Sequence, residues 1–339
     1  MLGSTQQGSP PLVKVKPSPR RRLDRELLVL AIVLIVLIVI AAVVTGGLFL
    51  ESNNVRSMLL RTCIVGIVAV GQTFVMLSSG IDLSVGGNLI LASCFGAALM
   101  TTDPRLNIAP GGSPLSVGAG LILMVLVAAG VGTANGFSVS RLRMSPLIVT
   151  LAMWQITYGA AYQATNLGQL IANVPESFAL FGQGMVGGMP VPVIILIVVV
   201  VVGYLILTRT SFGLSIYSVG GSESSAWLSG INIKRVRTLV YIVCGICVGI
   251  GAIIALSRTL CGSIRMVVGL ELDSIAAVVI GGVSLFGGKG NLIGVVIGVL
   301  ILSIISNTMT LAEVLPWHQD IIRGAVILGA VIANSVRSK

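Results

Sequence analysis

The chain has 339 residues, 55% of them hydrophobic and 9% charged, with a mean hydropathy of +1.05. A soluble domain carries about 25% charged residues, so a soluble enzyme is excluded and a polytopic, all-α integral membrane protein is expected. The net charge of +10 does not point to nucleic acid, because the basic residues lie between apolar runs rather than on one face.

Residues 1–25 are rich in Ser, Pro, Lys and Arg and are expected to be a disordered tail. The first apolar run, residues 27–47, lacks a cleavage signal and reads as a retained anchor. Further spans are expected near 57–79, 85–101, 115–139, 146–164, 189–207, 238–256, 272–285, 291–308 and 320–333. That makes about ten transmembrane helices in a permease-like unit over residues 26–339, with interruptions after the second and the short eighth. Ten spans place both termini on one side. Fifteen Lys and Arg fall on that side, Arg141, Arg143, Lys234 and Lys289 among them, against six on the other. Both termini are therefore expected in the cytoplasm, with the chain in the cytoplasmic membrane.

Cys63, Cys94, Cys244 and Cys247 fall inside apolar runs, and Cys261 lies just past one. They read as packing residues, not as a disulfide framework or metal site. Glycines at four-residue spacing (Gly132 and Gly136, Gly245 and Gly249, Gly290, Gly294 and Gly298) read as helix-packing positions. No cofactor or metal site is expected. No phosphate-binding loop exists either: Val283 stands where its first glycine belongs and Gly290 where its Ser or Thr belongs. Any nucleotide hydrolysis must come from another chain, and the chain is not expected to be an enzyme.

The interruption GIDLSVG at residues 80–86 carries Asp82, an acidic residue in the membrane-embedded region. A lone carboxylate there costs about 2.5–3.5 kcal/mol on insertion scales. Two readings stay open: Asp82 and Ser84 cap the following helix, or Asp82 touches a translocating solute. Gln72, Asn88, Asn135 and Gln155 are further polar groups within spans. Residues 282–288, GVSLFGG, echo the first interruption and bring Ser284 to the corresponding place. Such paired breaks point to a substrate path, so Gln72, Asp82, Ser84, Asn88, Asn135 and Ser284 are its candidate lining.

The loop 208–237 is expected on the cytoplasmic side. Ser222 can cap a two-turn helix opening at Glu223, and Gly230 can end it in a left-handed conformation. That helix carries Ala226, Trp227 and Leu228. It either docks on a partner or lies on the membrane surface.

GGSESSAWLSGIN at residues 220–232 resembles the coupling-helix loop of permease subunits of ribose-type ABC sugar importers. GIDLSVGG at 80–87, RTSFG at 209–213, SPLIVTL at 145–151 and ELDSIAAVVIGGVSLFGGKG at 271–290 resemble other motifs of that family. The resemblance implies a type II importer-like permease that dimerises with itself or a sister chain. Two cytoplasmic ATPase subunits would power it, and an extracytoplasmic sugar-binding protein would deliver a monosaccharide or small polyol. Gly220, Gly221, Ser222, Glu223, Ala226, Trp227, Leu228, Gly230 and Ile231 would then contact the ATPase. The basic end, Lys234, Arg235 and Arg237, is expected only to pin the next span to the inner leaflet. Arg56, Arg265 and Glu271, on the outer side, would face the binding protein. Ser225 and Trp227 stand where the family usually has Ala and a basic residue. Residues 265–268 (RMVV) replace a more polar stretch, and residues 168–188 diverge. A related solute, such as a furanone-type signal or a nucleoside, and a free-standing secondary transporter are the alternatives.

Overall fold

The computed structural model describes residues 19–338, with side chains placed for 26–332. The expected tail lies outside these residues except where the first helix begins at Pro19.

Apolar stretches without internal proline form helices, because a backbone in lipid must satisfy its own hydrogen bonds. In chain order they are α1 (Pro19–Val44), α2 (Ser52–Leu77), α3 (Val85–Met100), α4 (Val117–Ser140), α5 (Pro146–Ala164), the single turn α6 (Leu180–Gln183), α7 (Val191–Arg209), α8 (Ser211–Gly221), α9 (Glu223–Leu228), α10 (Ile233–Thr259), α11 (Leu270–Ile280), α12 (Leu292–Leu311) and α13 (Pro316–Ser338). A two-residue hairpin, β1 (Met185–Val186) with β2 (Met189–Pro190), closes the connection from α6 to α7.

Among the described residues, six helices are long and apolar enough to cross a membrane: the stretch Glu26–Val44 of α1, with α2, α4, α7, α10 and α12. Length and composition do not establish the expected ten spans. The run expected at 272–285 is helical only over the 11 residues of α11, a rise of about 16 Å against a hydrocarbon core of about 30 Å. It and α3, with 16 residues, are partial helices that begin or end inside the bundle.

The core centres on α2, α4 and α10, where α10 packs on both others. The spaced glycines set these crossings, since lipid offers helices no hydrophobic reason to associate. A Cβ at Gly136 would stand 2.9 Å from the Thr238 Cα, and one at Gly245 would stand 3.0 Å from the Ala129 Cα. Gly71 of α2 meets the Cys244 Cα and Cys247 Cβ at 2.9 Å in the same sense. The C-x-x-C pair is thus a packing surface, with both thiols free. Gly294 and Gly298 admit Gly281 and Ala277 of α11. Gly290 departs from the series: at φ +152° it lies in the turn before α12.

Candidate functional site

The chain breaks between α2 and α3, and buried side chains hold the break. Asp82 and Ser84 are 2% and 0% exposed. Asp82 Oδ1 accepts from the Ser84 N–H at 2.9 Å, the Ser84 hydroxyl at 2.6 Å and Asn135 Nδ2 at 3.4 Å. Asn135 Nδ2 also donates to Ser84 Oγ at 2.8 Å. A carboxylate accepting from an amide two residues on closes an Asx turn, which leads the chain into α3. Ser84 already has right-handed helical dihedrals and makes no side-chain cap. The Gln72 amide brackets the backbone of Asp82, donating to its carbonyl at 3.3 Å and accepting from its N–H at 3.2 Å. Tyr241 of α10 donates its hydroxyl to the Ile81 carbonyl at 3.3 Å. Asn88 Nδ2 donates to the Ala128 carbonyl of α4 at 3.1 Å. Oδ1 of Asn88 and Oδ1 of Asn135 are buried without a hydrogen-bond partner among the described residues. Four of the six candidate path residues, Gln72, Asp82, Ser84 and Asn135, therefore form one buried hydrogen-bonded group, and Asn88 is buried with its side chain bonded to α4 instead. Ser284 stands apart, in the turn after α11, where its Oγ accepts from the Phe286 N–H at 3.2 Å.

The loop 208–237 folds as two short helices. Thr210 caps α8 by accepting from the Gly213 N–H at 3.1 Å. Ser222 caps α9 by accepting from the Ser225 N–H at 3.3 Å. At the other end Gly230 has φ +77°. Its N–H donates to the Trp227 carbonyl at 2.9 Å, and the Ile231 N–H reaches the Ala226 carbonyl at 3.1 Å. This paired closure is a Schellman motif, which needs a left-handed residue at Gly230. Ala226 is buried at 2%, whereas Trp227 and Leu228 are 69% and 78% exposed. One side of α9 is anchored, and the other presents two large apolar side chains.

Beneath α9 the two chain breaks converge. The Gly288 N–H donates to the Leu77 carbonyl at 2.9 Å, and Ser79 Oγ donates to the Phe286 carbonyl at 2.8 Å and lies 3.2 Å from the Gly220 carbonyl. A Cβ on Gly220 would collide with the Leu77 carbonyl. Tyr217 of α8 donates to the Gly290 carbonyl at 3.1 Å. Burial pushes the Tyr217 phenol above its usual range, which keeps that donor protonated. The echo between residues 80–86 and 282–288 thus corresponds to two turns joined through α8.

Arg237 differs from expectation. It does not merely anchor α10: its guanidinium grips Glu223 through Nη2–Oε2 at 2.8 Å and Nη1–Oε1 at 3.3 Å. A cavity of about 940 Å³ opens beside this pair, with Ser79, Arg143, Trp227, Asn232 and Tyr241 in its wall.

At the opposite end Arg56 is exposed, with Nη2 3.5 Å from the Gln183 carbonyl, and Arg265 is exposed as well. Glu271 turns inward. A methyl group at Gly86, in the first turn of α3, would collide with its carboxylate and stand 3.6 Å from Trp154 Nε1. The side chain is half-buried rather than fully exposed like Arg56 and Arg265.

Residues 54–331 match the family described as branched-chain amino acid transport system / permease component. The chain belongs to this permease family. The permease is 36% identical over 290 residues to the ribose import permease protein of Escherichia coli (strain K12), covering 85% of this chain and 87% of that protein. Against the ribose import permease protein of Bacillus subtilis (strain 168) it is 35% identical over 294 residues, 86% and 87% of the two chains. The L-arabinose ABC transporter permease protein of Azospirillum brasilense is 33% identical over 289 residues, 85% and 82%. No solved structure matches the permease. Family membership, with six helices among the described residues long and apolar enough to span a membrane, makes it a multi-pass membrane protein and a transport component. Sequence reasoning missed Tyr241, Ser79 and Arg237 as parts of the permease's break and loop. Only Arg237 had a readable signal, a cation 14 residues from Glu223 across a predicted turn.

Proposed function

We propose that this permease forms the membrane path of an ATP-driven importer for a monosaccharide, with ATP hydrolysed by separate cytoplasmic subunits and sugar delivered by an extracytoplasmic binding protein. The observation that carries the reading is the built geometry of α9. A six-residue helix is marginal alone. Here it is capped at both ends, tied to α10 by Arg237, and connected through Gly220 and α8 to both chain breaks, while Trp227 and Leu228 stay exposed. An apolar anchor on a fixed helix suits a groove on a partner subunit. A push there reaches the break at Asp82 through Ser79 and Tyr241.

The count of fifteen Lys and Arg against six supports a cytoplasmic position for this face and both termini, and the resemblance of residues 220–232 to a coupling-helix loop supports Gly220 to Ile231 as the contact with the ATPase. The relatives named for ribose and L-arabinose support a pentose or hexose as cargo. A second permease, identical or sister, would complete the path.

The test is reconstitution in proteoliposomes, adding the ATPase subunits and the binding protein one at a time. Uptake of radiolabelled D-ribose or L-arabinose that needs ATP and every component supports the reading. Uptake by the permease alone overturns it in favour of a free-standing transporter.

A further inference from the structure

Glu271 has no role in the assembly as described so far. Its carboxylate lies inside the bundle, against the first turn of α3, and makes no ion pair among the described residues. Asp273, two residues on, does have a cation: Arg323 Nε stands 3.3 Å from its Oδ1. A half-buried ionisable side chain without a counter-charge in the bundle of a membrane protein is expensive and marks a functional position.

Its neighbours are aromatic. Trp154 and Tyr158, one turn apart on α5, stack with ring centroids 5.5 Å apart and planes 8° from parallel. Trp154, Tyr158 and Glu271 are all half-buried rather than sealed in the core. Gly86 lets the carboxylate and the indole approach each other, because any side chain there would fill the space between them.

Two loops come together beside this group. Ile264 and Val267, from the loop between α10 and α11, pack against the same buried residues as Tyr158, namely Ile90, Cys94 and Ala161. That loop is joined to the segment after α5 by a two-way bridge, Ile171 N–H to Gly262 O at 3.0 Å and Gly262 N–H to Ile171 O at 2.9 Å. The segment after α5 and the loop before α11 are thus tied together beside the cluster on which Tyr158 packs.

We propose that Trp154, Tyr158 and Glu271 form a contact site for a neutral polyhydroxylated ring in the membrane path, with the bridged loops beside it setting specificity. The proposal rests on the importer reading above. The aromatic face takes the apolar C–H side of a sugar ring, and the carboxylate accepts from its hydroxyls, the usual division of labour in a small-molecule site. The charge pattern selects against other cargo. An amino acid brings a carboxylate that needs a cation, yet neither Asp82 nor Glu271 has one beside it to share. Phosphorylated sugars are repelled for the same reason.

The experiment uses the complete importer in proteoliposomes, with D-ribose, L-arabinose and D-allose as labelled probes. ATPase stimulation by the binding protein is read in the same vesicles. Glu271→Gln and Trp154→Leu are expected to lower uptake of the transported sugar about tenfold, with stimulated ATPase changed less than about twofold. Trp154→Phe, which keeps an aromatic face, should restore most of the uptake. Uptake and ATPase falling together would show a structural role and overturn the site. Unchanged uptake in Glu271→Gln and Trp154→Leu would overturn it too. A wild-type importer that moves none of the three sugars would overturn the sugar reading itself, and the site with it.

Discussion

Arg237 of α10 holds Glu223 of α9 in a two-pronged ion pair, 2.8 and 3.3 Å. Four residues further along α10, Tyr241 bonds the Ile81 carbonyl in the first chain break. The helix that presents Trp227 and the break that holds Asp82 are therefore attached to the same face of one long helix.

The pair is partly exposed, with Arg237 and Glu223 side chains 26% and 56% accessible. Its contribution to stability should stay below about 1 kcal/mol. Arg237→Gln is expected to leave thermal stability in detergent nearly unchanged and to weaken ATP-driven uptake. The exchanged pair Glu223→Arg with Arg237→Glu should recover part of that uptake, which a proteoliposome assay would show.

Gly230→Pro removes the N–H that closes α9 on the Trp227 carbonyl and forces φ to about −65° where the chain needs +77°. The expected result is normal membrane insertion with uptake reduced at least about tenfold, because only the end of the short helix is disrupted. Insertion can be checked by yield and monodispersity in detergent.

Gly220→Ala drives a methyl into the Leu77 carbonyl. Backbone cannot yield as a flexible side chain does, so a loss of about 1–3 kcal/mol is expected. Gly221→Ala, beside it and facing open space, should be close to neutral. Paired melting curves of the two variants make the comparison.

Asp82→Ala removes the acceptor of Ser84 and Asn135 and should cost about 1–3 kcal/mol per buried donor left without a partner. Asp82→Asn keeps Oδ1 as an acceptor. If Asp82 holds the Asx turn rather than contacting a solute, the Asn variant melts near wild type and retains uptake, and only the Ala variant fails.

Much of this architecture was legible in the sequence because lipid imposes a simple rule. A long apolar run must be a helix, as α1 and α7 show over most of the runs expected at 27–47 and 189–207, and polar residues inside it need partners, as Gln72, Asp82 and Asn135 do. The caps of α9 were legible because Ser222 and Gly230 act within a few residues of their targets. Contacts between distant segments were not. Nothing in the local pattern brings Gly288 to Leu77 or aims Glu271 at Gly86. The same is true of the short α11: its apolar run continues to Leu285, but the helix ends at Ile280, where Gly282 turns left-handed at φ +88° and the Val283 N–H closes on the Val278 carbonyl. Arg237 was misjudged because a basic residue at a membrane border has an ordinary explanation ready, and only the fold brings Glu223 to it.

The central claim is that the exposed Trp227–Leu228 face docks on an ATP-hydrolysing subunit. The most direct measurement is the affinity of the purified ATPase subunit for the nanodisc-embedded permease, wild type against Trp227→Asp. The account predicts firm binding by the wild type and a loss of at least about tenfold in the variant, as for a buried aromatic anchor. Equal affinity in the two would contradict it.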